Sequence, residues 1–278
     1  MSGRHDGAWG EAIGALLGAR TEKPRATGIT AIIDKGLGLR AVDDLAETAG
    51  HLVDHVKLGF GSSAALDGAL LARKVARLVE AGIVVYPGGT LLEAAWATGH
   101  LAAFLRRACE LGFTGVEVSD GTVDLPAASR QEAIERALDA GLTVISEVGR
   151  KDPRRQLTPA EMADRAGADL ALGVAFVTIE ARESGRGTGI FDATGHVDEG
   201  ILDALLAALP DRSRILWEAP LHDQQAYLIL RLGANVNLAN IAPGEVLALE
   251  ALRRGLRFET LRAALQREPA GAPGRPRR

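Results

Sequence analysis

The chain has little cysteine, few aromatic residues and no large excess of either charge. Its 278 residues include one cysteine, Cys109, which excludes an intramolecular disulfide framework and a thiolate metal cluster. Aromatic residues make up only 4%, and the net charge is −4, so base stacking and phosphate neutralisation of nucleic acid are both disfavoured. No apolar run approaches the ~18 residues of a membrane span, and the N-terminus lacks an apolar signal core. We therefore expect a cytoplasmic protein without nucleic-acid or membrane partners.

Lysine is also scarce. Of the 32 basic residues, the lysines are Lys23, Lys35, Lys57, Lys74 and Lys151, and the others are arginine. Burial can change the pKa of a lysine, whereas the planar guanidinium group of arginine stays charged, so the two residues are not interchangeable. Lys35, Lys57 and Lys151 fall at the ends of predicted strands, while Lys23 and Lys74 are expected on the surface.

Short β-branched apolar runs alternate with Ala/Leu/Arg/Glu-rich helical stretches. The predicted strands are Thr27–Asp34, His55–Phe60, Ile83–Tyr86, Gly115–Ser119, Leu142–Val148, Ala175–Glu180, Arg214–Glu218 and Asn235–Leu238. Continuous apolar strands are typical of a parallel sheet covered on both faces. Eight strand–helix units over roughly 240 residues favour a closed α/β barrel of the (β/α)8 TIM type over an open sheet, and neither nucleotide-binding fingerprint occurs.

This pattern predicts one catalytic barrel over residues 25–265. Residues 1–24 form an N-terminal extension, in which the amphipathic stretch Trp9–Leu17 is a candidate helix to cap the bottom of the barrel. Residues 266–278, rich in Pro, Gly and Arg, are expected to form a disordered basic tail. Glycines that follow helical stretches predict left-handed helix ends at Gly82, Gly112, Gly141, Gly167 and Gly233.

Polar residues gather at the predicted C-terminal ends of the strands, where barrel enzymes carry their active sites. One ionisable residue in a strand is usually part of a structural ion pair, but here nearly every strand carries one at the same end, which favours a site. The set comprises Asp34, Lys35, Lys57, Glu117, Ser119, Glu147, Arg150, Lys151, Glu180, Arg182, Glu218, Asn237 and Asn240. Turns that contain Ser62, Gly88 and Gly89 allow backbone N–H groups to approach phosphate or carboxylate oxygens, although glycine at such turns is often only steric.

The residue types indicate the chemistry. Several carboxylates without histidine or cysteine suit a hard cation such as Mg²⁺. The six histidines form no HxH or HExxH pair, which disfavours zinc. Lysine and arginine among the carboxylates indicate an anionic substrate. The glycine-rich loop Glu183–Asp192 is either a lid over that substrate or an ordinary connection.

The same residues carry a resemblance to a known family. The segments VKLGFGSS (56–63), YPGGTLLE (86–93), SEVGRKD (146–152) and EARESGRGTGIFD (180–192) lie in order within a region that resembles phosphosulfolactate synthase from about Lys23 to Thr260. The resemblance implies a Mg²⁺-dependent barrel lyase that adds sulfite to C3 of phosphoenolpyruvate. The product would be (2R)-phospho-3-sulfolactate, for coenzyme M or another sulfonate pathway.

The resemblance also implies residue roles. By match to SEVGRKD, Lys151 would protonate C2, with a pKa held near neutrality by cationic neighbours and with Arg150 beside it. Lys35, Lys57 and Arg182 would offset the repulsion between the two anions. The Mg²⁺ ligands would be Glu117 and Glu147, with Asp34, Glu180 and Glu218 as further candidates. The expected substrate contacts are Ser62, Gly88, Gly89, Ser119, Asn237 and Asn240, the last two after strand eight.

Two positions depart from the family pattern. Ala239 stands where glycine is usual, and His222 stands where lysine is common, both around the expected anion-binding end. Three alternatives remain open: a phosphoenolpyruvate enzyme with a different nucleophile or pathway, a class I aldolase with Lys57 or Lys151 as the Schiff base, and a non-catalytic heat-stress-protective relative. We also expect a homo-oligomer.

Overall fold

The structure is a computed structural model that describes Trp9 and residues 16–266. Most of the candidate capping helix and nearly all of the basic tail lie outside these residues. None of the described helices is both long and apolar enough to cross a bilayer.

Parallel strands form the wall of a barrel. Within residues 16–266 they are β1 (Thr30–Asp34), β2 (His55–Leu58), β3 (Val84–Pro87), β4 (Gly115–Val118), β5 (Thr143–Val148), β6 (Phe176–Ile179), β7 (Ile215–Glu218) and β8 (Leu238–Ile241). They pair in the order β3-β2-β1-β8-β7-β6-β5-β4. Thr114 N donates to Val85 O at 3.2 Å, which brings β3 next to β4 and nearly closes the wall. The predicted (β/α)8 barrel is confirmed.

Helices surround this wall. They are α1 (Leu39–Ala49), α2 (Ser62–Ala65), α3 (Gly68–Glu80), α4 (Gly89–Ala97), α5 (Leu101–Glu110), α6 (Ala127–Asp139), α7 (Pro159–Ala171), α8 (Glu199–Ala208), α9 (His222–Leu232), α10 (Val246–Arg253) and α11 (Phe258–Gln266). The apolar pattern predicts a single helix over about 91–111, which is divided into α4 and α5. It predicts more than one helix over about 244–265, where α10 and α11 lie on either side of a break. Gly99 (φ +75°) and Gly255 (φ +77°) stand at these breaks, in the left-handed conformation that ends a helix.

The glycine helix ends are confirmed at four of the five predicted positions. Gly82, Gly112, Gly141 and Gly233 have φ values of +69°, +83°, +78° and +98°. The prediction for Gly167 is wrong, because this residue lies inside α7. The helix continues past Gly167 since Asp169, two residues further on, is buried and ion-paired to Arg130.

Two apolar layers position the site. The larger layer lies between the strands and the helices, and a smaller one fills the inside of the barrel with Ile29, Ala31, Tyr86, Ile145, Leu216 and Ala239. Side chains alternate along a strand, so residues two positions after an inward residue also point inward. Glu147 follows Ile145 and Glu218 follows Leu216 in this way, which places both carboxylates above the inner apolar layer.

Candidate active site

Lys57 lies at the centre of a group of buried carboxylates at the C-terminal end of the barrel. Its Nζ is 3.1 Å from Glu117 Oε1, 3.1 Å from Glu218 Oε1 and 3.5 Å from Glu147 Oε2. Burial by itself would lower the pKa of Lys57, but the three carboxylates outweigh it and raise the pKa well above its ordinary value. Lys57 is therefore a permanent ammonium that compensates the charge of the carboxylates around it.

Glu117 and Glu218 have both carboxylate oxygens engaged by the protein. One oxygen of each faces Lys57, and the other accepts a backbone N–H: Gly89 N donates to Glu117 Oε2 at 2.7 Å, and Ala181 N donates to Glu218 Oε2 at 2.8 Å. These contacts tie the turn after β3 and the residue after Glu180 to the strands that carry the carboxylates. The two carboxylates thus hold these backbone segments in place around the site.

Lys151 reaches the mouth of the site. Its Nζ is 3.4 Å from Glu147 Oε1, 3.7 Å from Glu180 Oε2 and 3.4 Å from Thr90 Oγ1, and its side chain is 33% exposed. The charge of Glu147 is the largest cause of a raised pKa for Lys151. The expectation of a pKa near neutrality is wrong, because the neighbours of Lys151 are carboxylates and not cations.

The carboxylates differ in their tendency to hold a proton. Burial would raise the pKa of Glu147, but Lys151 and Lys57 outweigh it and lower the value to about 2. Burial raises the pKa of Glu117 to about 7. Burial and the charge of Glu147 raise the pKa of Glu180 well above its ordinary value. Glu147 is therefore the most readily ionised of these three carboxyl groups.

Three non-glycine residues among those described have positive φ, and all three line this pocket. They are Phe60 (φ +55°), Arg182 (φ +62°) and Asn240 (φ +59°). Asn240 is buried, and its Oδ1 receives no hydrogen bond from a described group. Residues in sparsely populated conformations cluster at functional sites, where the surrounding structure holds them. This local strain supports a functional role for the pocket.

The structure brings most of the predicted site residues together. Those that line the pocket are Lys57, Gly88, Gly89, Glu117, Glu147, Lys151, Glu180, Arg182, Glu218 and Asn240. Phe60 also lines the pocket, although nothing in the sequence gave a reason to select this residue. Lys35 lies outside, exposed, with its Nζ 5.1 Å from the centre of the Phe60 ring. Ser62, half-buried at the start of α2, is not in the lining either.

Asp34 does not reach the pocket. Its Oδ2 is 2.5 Å from Nζ of Lys74, and its Oδ1 accepts N–H groups of Gly36 and Leu37, both at 2.8 Å. The expected surface position of Lys74 is wrong, because this lysine is buried on the barrel side of α3. Lys23 is half-buried and donates to Gly50 O and Gly82 O.

Arg150 and Ser119 point away from the pocket. Arg150 Nη1 donates to Asp120 O at 2.6 Å and lies 3.1 Å from Asp124, so it braces the connection after β4. Ser119 is fully buried and donates to Glu93 Oε1 at 2.5 Å. Sequence reasoning missed Glu93, although a carboxylate within the quoted segment YPGGTLLE offered a signal. Its Oε2 accepts the N–H groups of Thr122 and Val123.

Asn237 and Asn240 lie at opposite ends of β8. The predicted strand at Asn235–Leu238 is displaced, because the observed strand begins at Leu238. Asn237 therefore precedes the strand, and its side chain donates to Ser213 O and Ile215 O and accepts Ile29 N. Its expected place after strand eight is wrong, since the pairing of Ile32 with Ile241 sets the position of β8.

The two departures from the family pattern do not line the pocket. Ala239 belongs to the inner apolar layer, and His222 Nε2 lies 3.4 Å from Glu259 Oε1. The glycine-rich loop is tied to α9, because Gln224 Nε2 donates to Gly185 O and Gly195 O. Whether this loop acts as a lid stays a prediction.

The pocket has donor atoms that suit one hard cation held by two carboxylates. No group of three His, Cys, Asp or Glu side chains within the described residues is arranged to hold a metal ion. Glu147 Oε1 and Glu180 Oε2 are buried and receive no hydrogen bond from a described group. Mg²⁺ is commonly bound through one or two carboxylates together with waters and substrate oxygens. Glu147 and Glu180 fit this pattern, with these two oxygens also lying 3.4 Å and 3.7 Å from Lys151 Nζ. Both oxygens of Glu117 and Glu218 face protein donors, and Asp34 does not reach the pocket.

Comparisons with known proteins identify the family of this chain. The family model described as (2R)-phospho-3-sulfolactate synthase (ComA) matches residues 18–259. The phosphosulfolactate synthase of Methanocaldococcus jannaschii is 45% identical over 235 residues, covering 84% of this chain and 93% of the relative. The phosphosulfolactate synthase of Methanothermobacter thermautotrophicus is 42% identical over 248 residues, covering 88% of this chain and 96% of the relative.

Solved structures agree on the fold alone. Dihydrodipicolinate synthase from Agrobacterium tumefaciens is 13% identical with a TM-score of 0.53, covering 87% of this chain and 80% of that one. Identity at this level carries no functional information. The family model and the two relatives do carry functional information, and each matches more than two thirds of the chain. The chain belongs to the (2R)-phospho-3-sulfolactate synthase family.

Proposed function

We propose that this chain catalyses the addition of sulfite to C3 of phosphoenolpyruvate, giving (2R)-phospho-3-sulfolactate, and that it requires Mg²⁺. The observation that carries the proposal is the position of Lys151. This ammonium is partly exposed at the mouth of the pocket, within 3.4–3.7 Å of Glu147, Glu180 and Thr90. A fixed cation that can also release a proton is what an addition to an anionic alkene requires.

The pocket has cations at its opening that can bind anionic substrates, and at its base a lysine offsets the charge of buried carboxylates. Lys151 and Arg182 line the opening, while Lys57 lies deeper among three carboxylates. Because Lys57 offsets much of the charge beneath, the two outer cations remain available to sulfite and phosphoenolpyruvate. Sulfite and phosphoenolpyruvate repel each other, so cations around both lower the free energy of bringing them together.

Addition at C3 moves negative charge onto the substrate carboxylate. Mg²⁺ held by Glu147 and Glu180 would act as a Lewis acid toward that carboxylate. A cation there would also relieve the repulsion between these two side chains, which contributes to the raised pKa of Glu180. Lys57 and the N–H groups on Glu117 and Glu218 hold the surrounding carboxylates in place.

C2 must then receive a proton from one face. Lys151 is protonated at neutral pH because carboxylates raise its pKa, and its side chain extends to the pocket mouth. It gives its Nζ proton to C2 and is left as an amine beside Glu147. An arginine in the same place would bind the anion but would not release a proton.

The direct test mixes purified protein with phosphoenolpyruvate, sulfite and Mg²⁺ and looks for the sulfonate by mass spectrometry. We expect product in the complete mixture and none when sulfite is omitted or when EDTA is added. Absence of product with folded protein would reject the proposal. Product formation unaffected by EDTA would reject the Mg²⁺ requirement alone. Replacing sulfite by other nucleophiles addresses the alternative of a different phosphoenolpyruvate reaction.

The class I aldolase alternative fits the site less well. A Schiff base forms from a neutral amine, and carboxylates raise the pKa of both Lys57 and Lys151. Lys57 is in addition buried beneath the pocket mouth. Borohydride trapping with a carbonyl substrate should therefore leave the mass of the protein unchanged.

A further inference from the structure

A second cavity lies between α8 and α9, near the N-terminal ends of β7 and β8. Its volume is about 590 Å³, and it shares no lining residue with the active-site pocket. Pockets that take small organic molecules commonly measure about 300–1,000 Å³. We name it the α8–α9 cavity. Nothing in the proposed reaction uses it.

One wall of the α8–α9 cavity carries an unused hydrogen-bond donor. Trp217 is 2% exposed and lines the cavity together with the apolar side chains of Leu206, Leu232 and Val236. Its indole N–H donates to no group within the described residues. The indole nitrogen is not among the fully buried unpaired atoms of the described residues, so it keeps some exposure. A ligand acceptor beside this indole would satisfy it.

The rim of the α8–α9 cavity carries one uncompensated positive charge. Arg231 Nη2 is 2.7 Å from Asp203 Oδ1, so these two charges offset each other. Arg212 also lines the cavity, and its guanidinium has no ion pair or hydrogen bond within the described part of the chain. A single free cation beside an apolar wall matches a ligand with one negative charge and an apolar body.

We propose that the α8–α9 cavity binds a small organic monoanion whose apolar body packs on Trp217 and whose anionic group contacts Arg212. Trp217 directly precedes Glu218, so the bound molecule would contact the strand that carries an active-site carboxylate. The proposal does not depend on the reaction of the active site.

The test compares a monoanionic probe with its neutral counterpart. The anion is 8-anilinonaphthalene-1-sulfonate, and the neutral probe is N-phenyl-1-naphthylamine, which lacks the sulfonate. Fluorescence titrations use the full chain and two variants. Arg212→Ala removes the free cation, and Ala207→Trp fills the cavity from an exposed helix position that lines it. Thermal unfolding of each variant verifies the fold.

We expect Arg212→Ala to weaken binding of the sulfonate about tenfold and to leave the neutral probe unchanged, since only the former loses a charged contact. Ala207→Trp should weaken both probes at least about tenfold. Arg106→Ala, an exposed arginine on α5, is the matched control and should change neither. Phe258→Ala tests the exposed aromatic of α11 as the competing binding surface.

Three results would overturn the proposal. These are the absence of saturable binding, sulfonate binding that Arg212→Ala and Ala207→Trp leave intact, and loss of binding in Phe258→Ala. The last would assign the probe to the surface of α11.

Discussion

The Lys74 ammonium and the Asp34 carboxylate form an ion pair behind β1, with 2.5 Å between Nζ and Oδ2. Their side chains are 3% and 1% exposed. Lys74 Nζ also donates to Leu37 O at 2.8 Å, so the pair joins α3 to the turn after β1. This arrangement makes Asp34 a structural residue and separates it from the carboxylates of the pocket.

Asp34→Asn should therefore affect stability and not metal binding. Removing one partner leaves a buried charge uncompensated, and we expect the free energy of unfolding to fall by about 3–5 kcal/mol in urea denaturation. Asp43→Asn is the matched control, because the Asp43–Arg77 pair joins the same helix α3 to α1 at an exposed position, and it should cost less than about 1 kcal/mol. A reduced Mg²⁺ affinity of Asp34→Asn would place this residue in the site after all.

Lys151→Arg and Lys151→Ala should both lose turnover. Without a proton donor at C2, we expect kcat to fall by about 10²–10⁴-fold while thermal unfolding stays close to that of the unmodified chain. The arginine variant isolates proton transfer, since it keeps the positive charge. Arg154→Ala, at an exposed residue three positions later, is the control and should retain full turnover. An active Lys151→Arg would show that the charge alone is sufficient.

Glu117 should make stability depend on pH. Burial raises its pKa in the folded chain to about 7, above the ordinary value of 4.5. The contribution of this group to stability is then fully present below about pH 4.5 and is lost as the pH rises through about 7. Between about pH 5 and pH 8, we expect the free energy of unfolding of Glu117→Gln to rise relative to the unmodified chain by about 1–3 kcal/mol.

Urea denaturation at several pH values measures this difference. Glu132→Gln, at an exposed position on α6, is the control and should show no such trend. A difference between the unmodified chain and Glu117→Gln that stays constant with pH would contradict the assignment.

Mg²⁺ binding should depend on Glu147 and Glu180. Calorimetric titration of the full chain should give an affinity that Glu147→Gln and Glu180→Gln each lower by more than about tenfold, because each removes a buried carboxylate oxygen that accepts no hydrogen bond from a described group. Glu183→Gln is the control, as this exposed acid lines the same pocket. Equal affinity in all three variants would refute the assignment of ligands.

Much of the fold could be predicted from the sequence because apolar periodicity is local. The predicted strand Leu142–Val148 differs from β5 by one residue. The same apolar pattern predicts a helix near Glu199–Ala208, and α8 has these bounds. The predicted bounds were wrong at β8. Polar and apolar residues alternate along the run NVNLANI (235–241), but the observed strand comprises only its last four residues. Its position was decided by pairing with β1, more than 200 residues away in the chain.

The sequence by itself determined the barrel, the end that carries the site and most of the carboxylates, since these follow from strand alternation and from where ionisable residues occur. Tertiary structure decided which charges meet. Lys57 contacts Glu218 across 161 positions, and Asp34 instead pairs with Lys74. Burial and partner set the pKa of each group, and both depend on distances between strands and helices that no local pattern encodes.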